Sequence, residues 1–93
     1  MDLYEEVSRG QEAKDILEKP LIQEFLTTIR DNLRNEFENS KALDKEGREE
    51  VWRMLKVVNE FERHFISIIT TGEMAKQQLN LLERTKEKIR SIF

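Results

Sequence analysis

Counted from Val51 in alternating steps of three and four, one apolar seam runs to Phe93. Position a of the repeat falls on Val51, Val58, Phe65, Gly72, Leu79, Lys86 and Phe93, and position d on Met54, Phe61, Ile68, Ala75, Leu82 and Ile89. Ten of these thirteen positions are large and apolar, and two of the others are the small Gly72 and Ala75. Only a helix returns side chains to one face with this period. The register passes through Gly72 without slipping, whereas a helix that stopped and restarted would have no reason to keep phase. The spacing therefore predicts one helix from about Lys45 to about Ser91, roughly 70 Å long. The competing reading is a break at Gly72, because Thr70-Thr71-Gly72 also has the form of a helix end with a left-handed glycine. A continuous helix predicts that Gly72→Ala stabilises by about 0.5–1 kcal/mol. A left-handed cap predicts destabilisation. A close partner helix at the seam would add a clash with the new methyl group.

The rest of the chain reads as two shorter helices. Asp2-Leu-Tyr-Glu5 has the form of a capping box and opens a helix from about Leu3 to Glu18, with Val7, Ala13, Ile16 and Leu17 on one side. Gly10 lies on the same stripe, marking either a break or a close approach to another helix. Pro20 suits the first position of a new helix. From it Leu21, Ile22, Phe25, Leu26, Ile29, Leu33 and Phe37 recur at helical spacing, with Arg30 and Arg34 on the polar side. Residues 38–47, Glu-Asn-Ser-Lys-Ala-Leu-Asp-Lys-Glu-Gly, form the one convincing loop, and Asp44 is the N-cap of the long helix. The fold class is all-α. A helical hairpin carries an N-terminal helix and a long C-terminal helix that projects; there are three helices, or four if the last breaks at Gly72. Trp52 and Phe61 are expected in the hairpin core, with a loss of about 3–5 kcal/mol for Phe61→Ala.

Before Gly72 the apolar residues beside the seam are Trp52, Leu55, Ile66 and Ile69; after it they are Met74, Leu81 and Ile92, on the other side. One helix with two apolar arcs needs two neighbours. Helices of about 30 Å or less cannot cover 70 Å, so the second neighbour is another chain or the first helix folded along the tail. Residues 1–93 read as a single helical domain, with 73–93 as a projecting tail. The partner surface is assigned to Met74, Ala75, Leu79, Leu81, Leu82, Ile89, Ile92 and Phe93.

Composition narrows the function classes. Ninety-three residues bury a marginal core that association often supplements. There is no cysteine, hence no disulfide and no thiolate metal site. The longest apolar runs are two or three residues, too short to span a membrane, and no secretory signal is expected. His64, the sole histidine, follows Glu60 by one turn, but the spacing and the single copy do not match a dicarboxylate metal site. No nucleophile–base constellation, dinucleotide loop or phosphate loop is present, so neither an enzyme nor a cofactor or metal is expected. Residues 83–93 carry four bases against two acids. Arg84, Lys86, Lys88 and Arg90 are thus the candidates for a nucleic-acid contact, although the net charge of −3 is against one.

Arg9-Gly10, Ala13, Pro20-Leu21, Gly47-Arg48-Glu49, Trp52, Leu55-Lys56, Thr71-Gly72, Ala75 and Gln78-Leu79 give the stretch Arg9–Leu79 a further likeness. It resembles a loose family of small all-helical proteins of unknown function from tailed phages and prophages. The resemblance implies a phage origin, a place in the bacterial cytoplasm or the phage particle, and a role in particle assembly or DNA packaging. It carries no catalytic residues and does not reach the basic tail. The expected function is non-enzymatic, through helix-mediated contacts with itself or with a phage or host protein. One alternative is a nucleic-acid-linked packaging or regulatory subunit. Another is a small inhibitor of a host defence protein.

Overall fold

The carboxylate of Asp2 accepts a hydrogen bond from the Glu5 N–H at 2.8 Å and so starts the first helix. The computed structural model describes residues 1–39 and 44–92. In it α1 spans Leu3–Leu17, α2 Pro20–Asn39 and α3 Lys45–Ile92. Four of the boundaries have a local cause, beginning with Asp2 at the start of α1. The Gln23 side-chain amide donates to the Leu17 carbonyl at 2.6 Å and satisfies an otherwise unpaired acceptor at the end of α1. Pro20 opens α2, where its missing N–H costs nothing. The Asp44 carboxylate accepts from the Gly47 N–H at 3.0 Å and caps α3. The middle of the expected loop, residues 40–43, lies outside the described residues.

Helix α3 is continuous through Gly72, and no described residue, glycine included, has a positive φ. The reading of Thr70-Thr71-Gly72 as a helix end is thereby set aside. Among the described residues the fold is all-α, with three helices, the last of 48 residues.

Contacts divide the chain into two units. One joins α2 to the first part of α3, within Ile16–His64. The other joins Met1–Asp15 to the described part of Phe65–Phe93. In the first unit α2 and α3 form an antiparallel hairpin. Leu26, Leu33 and Val51 are its buried side chains. Arg30 bridges the helices, with one guanidinium nitrogen 3.1 Å from Glu62 and 3.0 Å from the Asn59 amide oxygen.

The core stripe of this hairpin on α3 is not the expected a/d seam. It follows Val51, Leu55, Val58 and Glu62, which are positions a and e, and every one of them is buried or half-buried. Position d is turned outward. Met54 and Phe61 are each 45 % exposed and Trp52 is 60 % exposed, so Trp52 and Phe61 are not the hairpin core. The physical reason is that one neighbouring helix covers an arc of about 100°. Leu55 at position e extends the a stripe toward α2, and an arc centred there leaves d uncovered.

In the second unit α1 lies along α3 in parallel. Met1, Glu6 and Arg9 gather with Ser67, Ile68 and Thr71 around one hollow, and Val7, Gly10, Gln11 and Lys14 with Ile69, Gly72, Glu73 and Lys76 around another, so the numbering rises together along the two helices. Gly10 and Gly72 face each other so closely that a Cβ built on either would stand 2.8 Å from the other's Cα. Ala13 and Ala75, three residues further on each helix, are buried at 4 % and 2 % exposure. The two small-residue pairs let the backbones approach as no larger side chain would. Gly10 thus marks a close approach, and α1 is the second neighbour that the long helix requires at this level.

Candidate interaction surface

Past Leu79, which is half-buried, every described residue of α3 is exposed, from Asn80 to Ile92. This stretch is not polar. Leu81 is 63 % exposed, Leu82 48 %, Ile89 51 % and Ile92 75 %, and Met74 one turn before Leu79 is 65 % exposed. At 100° per residue, Met74, Leu81, Leu82, Ile89 and Ile92 fall within one arc of about 100°, together with Gln78 and Thr85. The Thr85 hydroxyl turns back to the Leu81 carbonyl at 2.9 Å, so its methyl group is what the stripe presents.

The charges on this tail are sorted about the stripe. Arg84 and Lys88, one turn apart, flank it on one side, and Lys86 and Arg90 flank it on the other. Glu83 and Glu87 stand on the opposite side of the helix. The four bases expected for nucleic acid are therefore two separate pairs on either edge of an apolar stripe.

Of the eight residues assigned to the partner surface, five are on this open arc: Met74, Leu81, Leu82, Ile89 and Ile92. Ala75 is a correction, because it is buried against the rest of its own unit and has no surface to offer. Leu79 is half-buried and marks where coverage stops. Phe93 lies outside the described residues. Ala75 and Leu79 share the seam of the tail, so spacing alone does not separate them from it; their burial beyond the Gly10–Gly72 approach does.

Elsewhere the chain offers little chemistry. Among the described residues no three His, Asp or Glu side chains gather where a metal could bind, and no helix is long and apolar enough to cross a membrane. His64 is exposed on α3. Arg48 lies over the Phe37 ring at 4.8 Å, and Lys56 over Trp52 at 5.4 Å. Both contacts cover part of the aromatic surface of the hairpin, and the Arg48–Phe37 contact also ties the first turns of α3 to α2, whereas Lys56 and Trp52 are one turn apart on α3.

Fold and surface together define a class: an all-α chain in which a hairpin and a paired N-terminal helix support a long helix with an open amphipathic tail. Comparison with family models, with characterised proteins and with solved structures finds no match.

Proposed function

We propose that this chain is a non-enzymatic assembly protein that self-associates by burying the α3 tail against a second copy. The observation that carries the reading is the open stripe itself. Leu81, Leu82, Ile89 and Ile92 are between 48 % and 75 % exposed on a stretch where every described residue is exposed. Burying apolar surface yields about 25 cal/mol per Å², and an exposed patch of this kind marks an interaction site. A second copy suits the stripe because the tail and the rest of the chain differ in charge. The tail is basic, whereas residues 1–20 carry six acids against three bases. The likeness to small tailed-phage proteins leads us to place this assembly in a phage-infected bacterium, as part of the particle or of its construction.

Solution mass measured over a range of concentrations tests the proposal. The wild-type chain is expected to exceed the monomer mass of 11.2 kDa. The variant Leu82→Asp with Ile89→Asp is expected to stay monomeric with unchanged helix content. A wild type that remains monomeric throughout would overturn self-association and turn attention to a phage or host partner.

A further inference from the structure

The hairpin has an open apolar face of its own. On α2, Phe25 and Glu36 lie on one stripe, with Ile29 between them; on α3, Glu50, Met54, Val57 and Phe61 follow at steps of four, three and four. Residues so spaced share one side of a helix. Glu36 and Asn39 of α2 meet Gly47, Glu50 and Met54 of α3 around one cleft, which places both stripes on the same side of the hairpin. Arg30, Asn59 and Glu62 close the other side. Away from the loop the open side is apolar, with Phe25 54 %, Met54 45 %, Val57 68 % and Phe61 45 % exposed. Among the described residues its loop end is acidic: Glu36, Asp44 and Glu50 line the cleft there. Arg53, at its rim, is held by Glu49 at 3.6 Å.

We infer that this face seats the α3 tail of a second copy, which turns the two-helix hairpin into a three-helix bundle. The inference rests on the self-association reading above and names the surface that the tail meets. Three features fit the two surfaces together. A hairpin with an uncovered apolar face lacks one helix, and the tail is a helix with an uncovered apolar stripe. Their lengths agree: Leu81 to Ile92, Glu50 to Phe61 and Phe25 to Glu36 are each eleven residues apart, about 16 Å of helix. Their charges are opposite, with Arg84, Lys86, Lys88 and Arg90 along both edges of the stripe and Glu36 and Glu50 beside the seat. Because the donor and acceptor surfaces differ, the contact is heterologous and each chain carries one of each.

Mixing two disabled variants tests this. Leu82→Asp with Ile89→Asp removes the tail and leaves the face. Glu50→Lys with Val57→Lys alters two exposed positions of the face, reverses its charge and leaves the tail. Each variant alone is expected to be monomeric with wild-type helix content. An equimolar mixture is expected to give a one-to-one heterodimer, because it contains one intact tail and one intact face. A face variant that self-associates like the wild type would overturn the inference and leave self-association standing, with the tail meeting another surface of the second copy. Two monomeric variants that do not combine would also overturn it. A monomeric wild type would remove the self-association reading itself.

Discussion

A methyl group at residue 72 would stand 2.8 Å from the Gly10 Cα and 2.9 Å from the Glu6 carbonyl oxygen, both backbone atoms that cannot swing aside. The helix is continuous there, so helix propensity alone would favour Gly72→Ala by about 0.5–1 kcal/mol. Overpacking of a filled contact costs about 1–3 kcal/mol, and at this distance it is the larger effect. Gly72→Ala is thus expected to destabilise by about 1–2 kcal/mol, which thermal melting of a chain this size registers as a fall of several degrees. A rise in melting temperature would mean that α1 does not approach α3 this closely. At the other end of α1, Asp2 acts in two ways. It caps the helix through the Glu5 N–H, and its charge raises the pKa of the Glu5 carboxyl above the ordinary value. A carboxyl whose pKa is raised by folding binds its proton more readily in the folded chain, so its ionisation opposes folding. Glu5→Gln is therefore expected to melt higher than wild type at neutral pH. The difference should vanish as the pH falls below the ordinary glutamate range, and a constant difference across that range would exclude the Asp2 charge as its cause.

Within the hairpin, the burial of α2 and α3 decides which substitutions matter. Leu26 is 1 % exposed, and Leu26→Ala is expected to cost about 2–5 kcal/mol. Phe61 is 45 % exposed, so Phe61→Ala is expected to cost about 1 kcal/mol, well below the loss expected of a core phenylalanine. Urea unfolding of the two variants compares them, and equal losses would place Phe61 back inside. Arg30 holds both Asn59 and Glu62 with side chains about a quarter exposed. Its removal is expected to cost about 1–2 kcal/mol, a partly screened version of a charged hydrogen-bond pair. Lysine should not restore it, since one ammonium cannot reproduce the fork. The starts of all three helices were legible because their punctuation is local: Asp2, Pro20 and Asp44 act on the residues beside them, whereas the expected loop 38–47 took in Glu38 and Asn39 of α2 and Lys45–Gly47 of α3. Continuity through Gly72 was legible because an unbroken register is a property of the sequence. The side of α3 that meets α2 was not legible. Positions d and e both carry apolar residues there, and the choice between them depends on where α2 lies. Arg30 read as a polar-face residue for the same reason, since its partners come from a helix about thirty residues later. The tail was legible as an apolar stripe, but its inner limit was not, since Ala75 is buried and Leu79 half-buried through packing that no spacing within α3 specifies alone.

Among the described residues many large apolar side chains are exposed, those of the α3 tail and of the outer face of the hairpin among them, while the buried ones are few. Under the proposed self-association, assembly and folding are linked. Anything that binds the folded state alone stabilises it by mass action. For a dimer, each tenfold rise in concentration adds half of RT ln 10 per chain, about 0.7 kcal/mol. At about 4–8 °C per kcal/mol for a domain of this size, the wild-type melting temperature is expected to climb by about 3–5 °C per decade of concentration. Leu82→Asp with Ile89→Asp is expected to melt at a concentration-independent temperature, equal to the wild-type value at high dilution. That equality separates association from core packing, because residues that were part of the internal core would lower the melting temperature at every concentration. A doubly charged variant that melts well below dilute wild type would show that Leu82 and Ile89 stabilise their own chain. The tail would then belong to the fold rather than to the partner.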